Sequence, residues 1–159
     1  MEFLAGLHPK LVHFPIVLLL CYVVLEVIAA FSKKEVFSKA AHITLFLGVV
    51  MTLLAVLTGH QAEEVASKWD DAGAIIPFKA IGEHEDFANL TLWYFVALLV
   101  IRTVLVLKKK FTTNIKYIFV VLALVGTYFV YQVGEHGGKL VYKYGVGTDL
   151  KNPEIKNTN

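Results

Sequence analysis

Apolar residues fall into four long runs, separated by two short lysine-rich connections and one longer acidic one. The first run, Leu11 to Phe31, has about 20 residues, the length that carries a helix across a hydrocarbon layer. The second extends from about Ala41 to Gly59, the third from Leu90 to Leu107 and the fourth from Ile115 to Val133. A lysine and a pair of small residues, Ala29-Ala30, bracket the first run as they would a signal peptide. The run is too long for a signal core, contains Glu26 and opens on His and Pro, so it reads as a retained span. Pro9 and Pro15 suit a helix start, where a missing N–H costs little.

The longest connection, Gly59 to Asn89, carries a helical pattern out of the second run (His60 to Ser67) and into the third (Phe78 to Asn89). Asp70-Asp71-Ala72-Gly73 and Pro77 mark a turn between them. The expected fold is therefore all-α: a four-span bundle over residues 1–150, with an extended helical hairpin between spans two and three. Gly137-Gly138 and Gly145-Val146-Gly147 predict a looped C-terminal flap from Gly134 onward, and residues 151–159 a frayed tail.

Composition agrees with lipid as the solvent. The chain is 57% hydrophobic, above the roughly 45–50% of soluble domains. A net charge of +2 and the lack of a basic, aromatic-laced patch argue against nucleic acid. The lysines Lys33, Lys34, Lys39 and Lys108 to Lys110 sit in the two short connections, which the positive-inside rule assigns to the cytoplasm. Four spans then place both termini and the acidic connection on the opposite, outer side of the membrane. Trp93, Tyr94, Tyr128 and Tyr131 read as an aromatic belt at one set of span ends.

Five of the six histidines fall at that same end: His8, His13, His60, His84 and His136, with His42 at the other. Any one of them is accounted for by capping or headgroup contact, but a set drawn from every helix of a bundle points to a shared layer. Glu63 and Glu64 follow His60 on its helix face, and Glu83 and Glu85 flank His84. Imidazole with carboxylate suits zinc, copper or iron, with His8, His13, Glu64, His84 and Glu85 as candidate ligands. Paired imidazoles suit the axial positions of a b-type haem, with His13, His60, His84 and His136 as candidates and His13 paired with His60 or His136 as the simplest arrangement. Cys21 is the only cysteine, so disulfides, thiolate metal sites and covalently attached haem are excluded. No nucleophile–base arrangement can be named, so the chain does not read as an enzyme on its own. Glu26 and Arg102 lie at matching depth in spans one and three and should pair inside the bundle.

His8-Pro9 through Pro15, Thr58-Gly59 with Ala62-Glu63-Glu64, His84-Glu85, and Gly137-Gly138-Lys139-Leu140-Val141-Tyr142 with Gly145-Val146-Gly147 occur in that order. Together they resemble the bacterial inner-membrane proteins catalogued as domain of unknown function 2231. The resemblance implies a four-span membrane domain and an association with redox proteins such as cytochromes. Its motif positions are His8, His13, Glu64, His84 and the glycine-led tail, whereas His60 is an individual feature. Two functions follow as expectations: a redox subunit with haem b near the periplasmic face, exchanging electrons with quinone and a periplasmic cytochrome, or a non-haem metal-binding protein. A third reading is a structural module that docks a partner or forms a homo-oligomer.

Overall fold

The computed structural model describes residues 2–32 and 34–148. The expected frayed tail, 151–159, lies outside them. Five helices are present among the described residues: α1 (Glu2–Leu11), α2 (His13–Phe31), α3 (Glu35–Asp71), α4 (Phe78–Leu107) and α5 (Thr113–Tyr142). α1 and α2 follow one another with a break at Val12 and together make one helical unit of membrane-crossing length, as α3, α4 and α5 each do. The four-span bundle expected from the apolar runs is thus what the chain forms.

The break has a chemical cause. Pro15 is the third residue of α2 and has no N–H to give the carbonyl of Leu11, while its ring crowds that carbonyl. Pro9 does not start a helix as expected; it lies inside α1. The sequence pattern also missed α1 itself, whose seven residues before Pro9 already form the helix that carries His8.

α2 packs against α3 and α5, and α4 packs against the same two, so the spans form a closed ring with α2 and α4 on one diagonal. α1 lies on α3. Between apolar helices in lipid there is no hydrophobic gain to drive association, so close packing over small residues carries it. A Cβ on Gly48 would come within 2.7 Å of Leu19, and one on Gly126 within 2.5 Å of Phe95 Cζ. Phe95 therefore reaches across from α4 onto bare α5 backbone, and its ring meets Tyr22 of α2 edge-on, with centroids 6.3 Å apart. Thr52, Thr91, Thr103 and Thr127 each donate their hydroxyl to the carbonyl one turn earlier, so these four hydroxyls are not left open to the apolar surround.

The expected ion pair is formed and fully buried. Arg102 Nη2 donates to Glu26 Oε2 at 2.9 Å and Nε at 3.3 Å, while Nη2 also reaches the Ser38 carbonyl at 3.2 Å. The guanidinium lies over the Phe111 ring at 4.3 Å. Of the expected aromatic belt, Trp93, Tyr128 and Tyr131 are exposed on the bundle surface. Tyr94 is not in it: the side chain turns inward, donating its hydroxyl to the Leu122 carbonyl at 2.6 Å and packing on Phe95 and Phe129.

The hairpin between spans two and three is as expected. α3 runs on to Asp71 and ends on Gly73 (φ +91°), with Ala74 N–H bonded to the Trp69 carbonyl and Gly73 N–H to that of Asp70. This pattern needs a left-handed residue, which glycine supplies without strain. α4 ends in the same way at Lys109 (φ +54°). The flap expected from Gly134 is corrected: α5 stays helical through Tyr142 and only residues 143–148 form turns. Gly137 and Gly138 do not break the helix because its flank is packed. Leu140, with Tyr144 and Val146, joins Ala66, Ile76 and Ile81 in a second small core under the hairpin tip.

The ion pair and the glycine contacts set the first predictions. Glu26→Gln or Arg102→Leu alone should destabilise by about 3–5 kcal/mol, and Glu26→Leu with Arg102→Met by much less, because the single changes strand a buried charge. Gly126→Ala should cost about 1–3 kcal/mol by pushing Phe95 off its seat. Thermal or denaturant unfolding in micelles measures all four.

Candidate functional site

The hairpin, α1 and the last turns of α5 bring histidines together at the end of the bundle opposite the lysines. His8 reaches from α1 onto α3, where its Nδ1 lies 3.0 Å from the Ala55 carbonyl and 3.3 Å from Thr58 Oγ. A carbonyl only accepts, so Nδ1 carries the proton and Nε2 keeps its lone pair. Thr58 donates its own hydroxyl to the Leu54 and Ala55 carbonyls and so completes the seat. The ring rests against Gly59, whose Cβ, were there one, would stand 3.0 Å from His8 Cε1.

His84, on α4, faces His8 edge-on, with ring centroids 6.5 Å apart and planes at 77°. It too sits on a glycine: a Cβ on Gly137 of α5 would stand 3.1 Å from His84 Cε1. The ring lies within hydrogen-bonding reach of the Val133 carbonyl and within electrostatic reach of both His8 and His136. Its Nδ1 is buried and makes no hydrogen bond of good geometry. His136 donates Nδ1–H to the Gln132 carbonyl one turn back at 2.8 Å, which again frees Nε2, and its ring lies against Phe87 at 4.8 Å. Three imidazoles from three helices thus share one layer, two of them seated on glycine.

A second, partly exposed group borders the first through sequence neighbours of its members. His60 follows Gly59, and Glu85 follows His84. His60 Nδ1 lies 3.8 Å from Glu63 Oε2 and 4.0 Å from Glu85 Oε1, and one donor atom from each residue fits within 4.8 Å of the others. Glu64 is half-buried and takes no part in it. His13 stands apart: exposed at the start of α2, it makes no ring contact, ion pair or hydrogen bond among the described residues. The expected pairings of His13 with His60 or His136 are therefore not the ones the fold assembles; His8 with His84 is. His42 lies at the lysine end, beside Arg102.

The parts of the site that the sequence pattern did not single out are the seats. Gly59 closes the second apolar run, and Gly137 belongs to the stretch that predicts a looped flap. The signal was a glycine beside a histidine, Gly59-His60 and His136-Gly137, at the same end of two different helices.

Over residues 5–150 the chain matches the family described as "Predicted membrane protein (DUF2231)". It belongs to that family. The match spans α1 to the end of α5 and so includes every imidazole of the layer. Comparison with the curated proteins and with the solved structures gives no match.

The seats generate a prediction about geometry alone. Gly137→Val should displace the His84 ring and Gly59→Val the His8 ring. Histidine Cε1–H resonances should move for the ring concerned and stay in place for His13.

Proposed function

We propose that this membrane protein holds a transition-metal ion in the imidazole layer, with His8 and His84 as its principal ligands and His136 as a third donor. The observation that carries the reading is the convergence of three imidazoles from three helices, with the buried His84 Nδ1 left without a hydrogen bond of good geometry. A buried polar atom left open is costly, and a bound cation is one way to satisfy it. The donations of His8 and His136 to backbone carbonyls support the reading, because metal-binding histidines are oriented by such a bond from the nitrogen that does not bind. Imidazole donors favour zinc, copper or iron over magnesium or calcium. His60, Glu63 and Glu85 offer the ion a more exposed set of donors next to that layer.

A b-type haem is the second reading, favoured by one measurement. Paired imidazoles can hold such a group, and the rings of His8 and His84 face one another with centroids 6.5 Å apart. Such a group would supply one-electron chemistry, with a periplasmic cytochrome and membrane quinone as its exchange partners. In either reading the lysine-rich connections argue for a cytoplasmic lysine end, hence for an imidazole layer and both termini on the periplasmic side of a bacterial inner membrane.

Elemental analysis and an absorption spectrum of protein purified from cells supplied with metals and haem separate these readings. Stoichiometric zinc, copper or iron without a Soret band supports the bare ion, and a Soret band supports haem. His84→Gln and His8→Gln should each weaken retention beyond the roughly 10–100-fold that loss of an outer-shell partner costs, while His13→Gln should leave it unchanged. Neither metal nor haem, in protein that folds, would leave a partner-docking module.

A further inference from the structure

The far end of the bundle carries a pocket unconnected with the imidazole layer. It lies between the start of α3 and the end of α4, has a volume of about 270 Å³, and is lined by Ser38, Lys39, His42, Ile43, Arg102 and Val106. Ile43 and Val106 give it apolar walls. Arg102, fully buried, is its floor, with the guanidinium charge already engaged by Glu26. The Tyr22 hydroxyl lies within hydrogen-bonding reach of the Arg102 guanidinium. Of the pocket's lining, Arg102 Nη1 and His42 Nδ1 make no hydrogen bond of good geometry.

Charge at this end of the bundle is mostly positive, with Glu35 the acid nearest the pocket's lysine. Lys39 stands at its rim, held only by an exposed contact of 3.8 Å to Glu35. Lys34 precedes α3, and Lys108, Lys109 and Lys110 follow α4, so both helices that form the pocket bring cations to its end. The apolar stretches of α3 and α4 begin and end here, which is the level of lipid headgroups. We propose that the pocket is a binding site for one anionic glycerophospholipid. The first methylenes and glycerol lie against Ile43 and Val106, an ester or phosphate oxygen accepts from His42, and the phosphate faces Lys39. A neutral floor under a cationic rim suits a molecule that is apolar below and anionic above, and basic pockets between spans select such headgroups.

The test is titration of the full chain, in nanodiscs of phosphatidylcholine, with a fluorescent phosphatidylglycerol. Saturable binding near one lipid per chain is expected, with Val106→Trp weakening it at least about 10-fold by filling the pocket. Lys39→Gln, at an exposed position that leaves the fold intact, should reduce the preference over labelled phosphatidylcholine several-fold. Unchanged binding in both variants overturns the proposal, as does equal affinity for phosphatidylcholine. Displacement of the lipid by millimolar inorganic phosphate would assign the site to a free anion, and displacement by a short-chain quinone to a neutral carbonyl ligand. Either result also overturns it.

Discussion

The buried contact between Glu26 and Arg102 ties together the two helices that the ring of spans keeps apart. α2 and α4 sit on a diagonal, and their neighbours are α3 and α5. What crosses the centre is side chain: the ion pair near the lysine end and the Tyr22–Phe95 edge contact further along. Charges held at zero exposure in an apolar bundle each have one opposite charge in direct contact, so the pair fixes the register of α4 against α2 more firmly than apolar contacts could. The register carried down α4 then sets where His84 arrives, about five turns away.

Close approach is the second constraint, and it recurs at different levels with different rings. Gly48 receives Leu19, Gly126 receives Phe95, Gly59 receives His8 and Gly137 receives His84. The first two lock spans in the middle of the bundle; the last two make the layer of imidazoles. Ordinary membrane-helix packing and the candidate site are built by the same device. The imidazole layer needs no scaffold apart from the bundle.

Much of this was legible in the residues, for definite reasons. Four apolar runs of spanning length admit little but a four-helix bundle, and two opposite charges at equal depth admit little but a pair. The turn at Gly73 and the hairpin around it followed from short-range chemistry. What misled were residues whose local preference was overruled by packing. Gly137 and Gly138 read as breakers, yet α5 continues through them because Leu140 is buried beneath the hairpin. Tyr94 read as an interfacial ring, yet the Leu122 carbonyl captures its hydroxyl. His8 and His13 both stand at the head of the first apolar run, and nothing in the run tells which of them meets another helix. α1 decides it by laying His8 on α3.

The glycine seats bear on how the molecule comes to exist. Each of the two imidazoles rests on naked backbone belonging to another helix, so no inserted segment holds its ring in place before its neighbour docks. A donor layer made this way is absent from the separate spans and appears only as they assemble. Anything that loosens the bundle, even far from the histidines, would dismantle it in the same event.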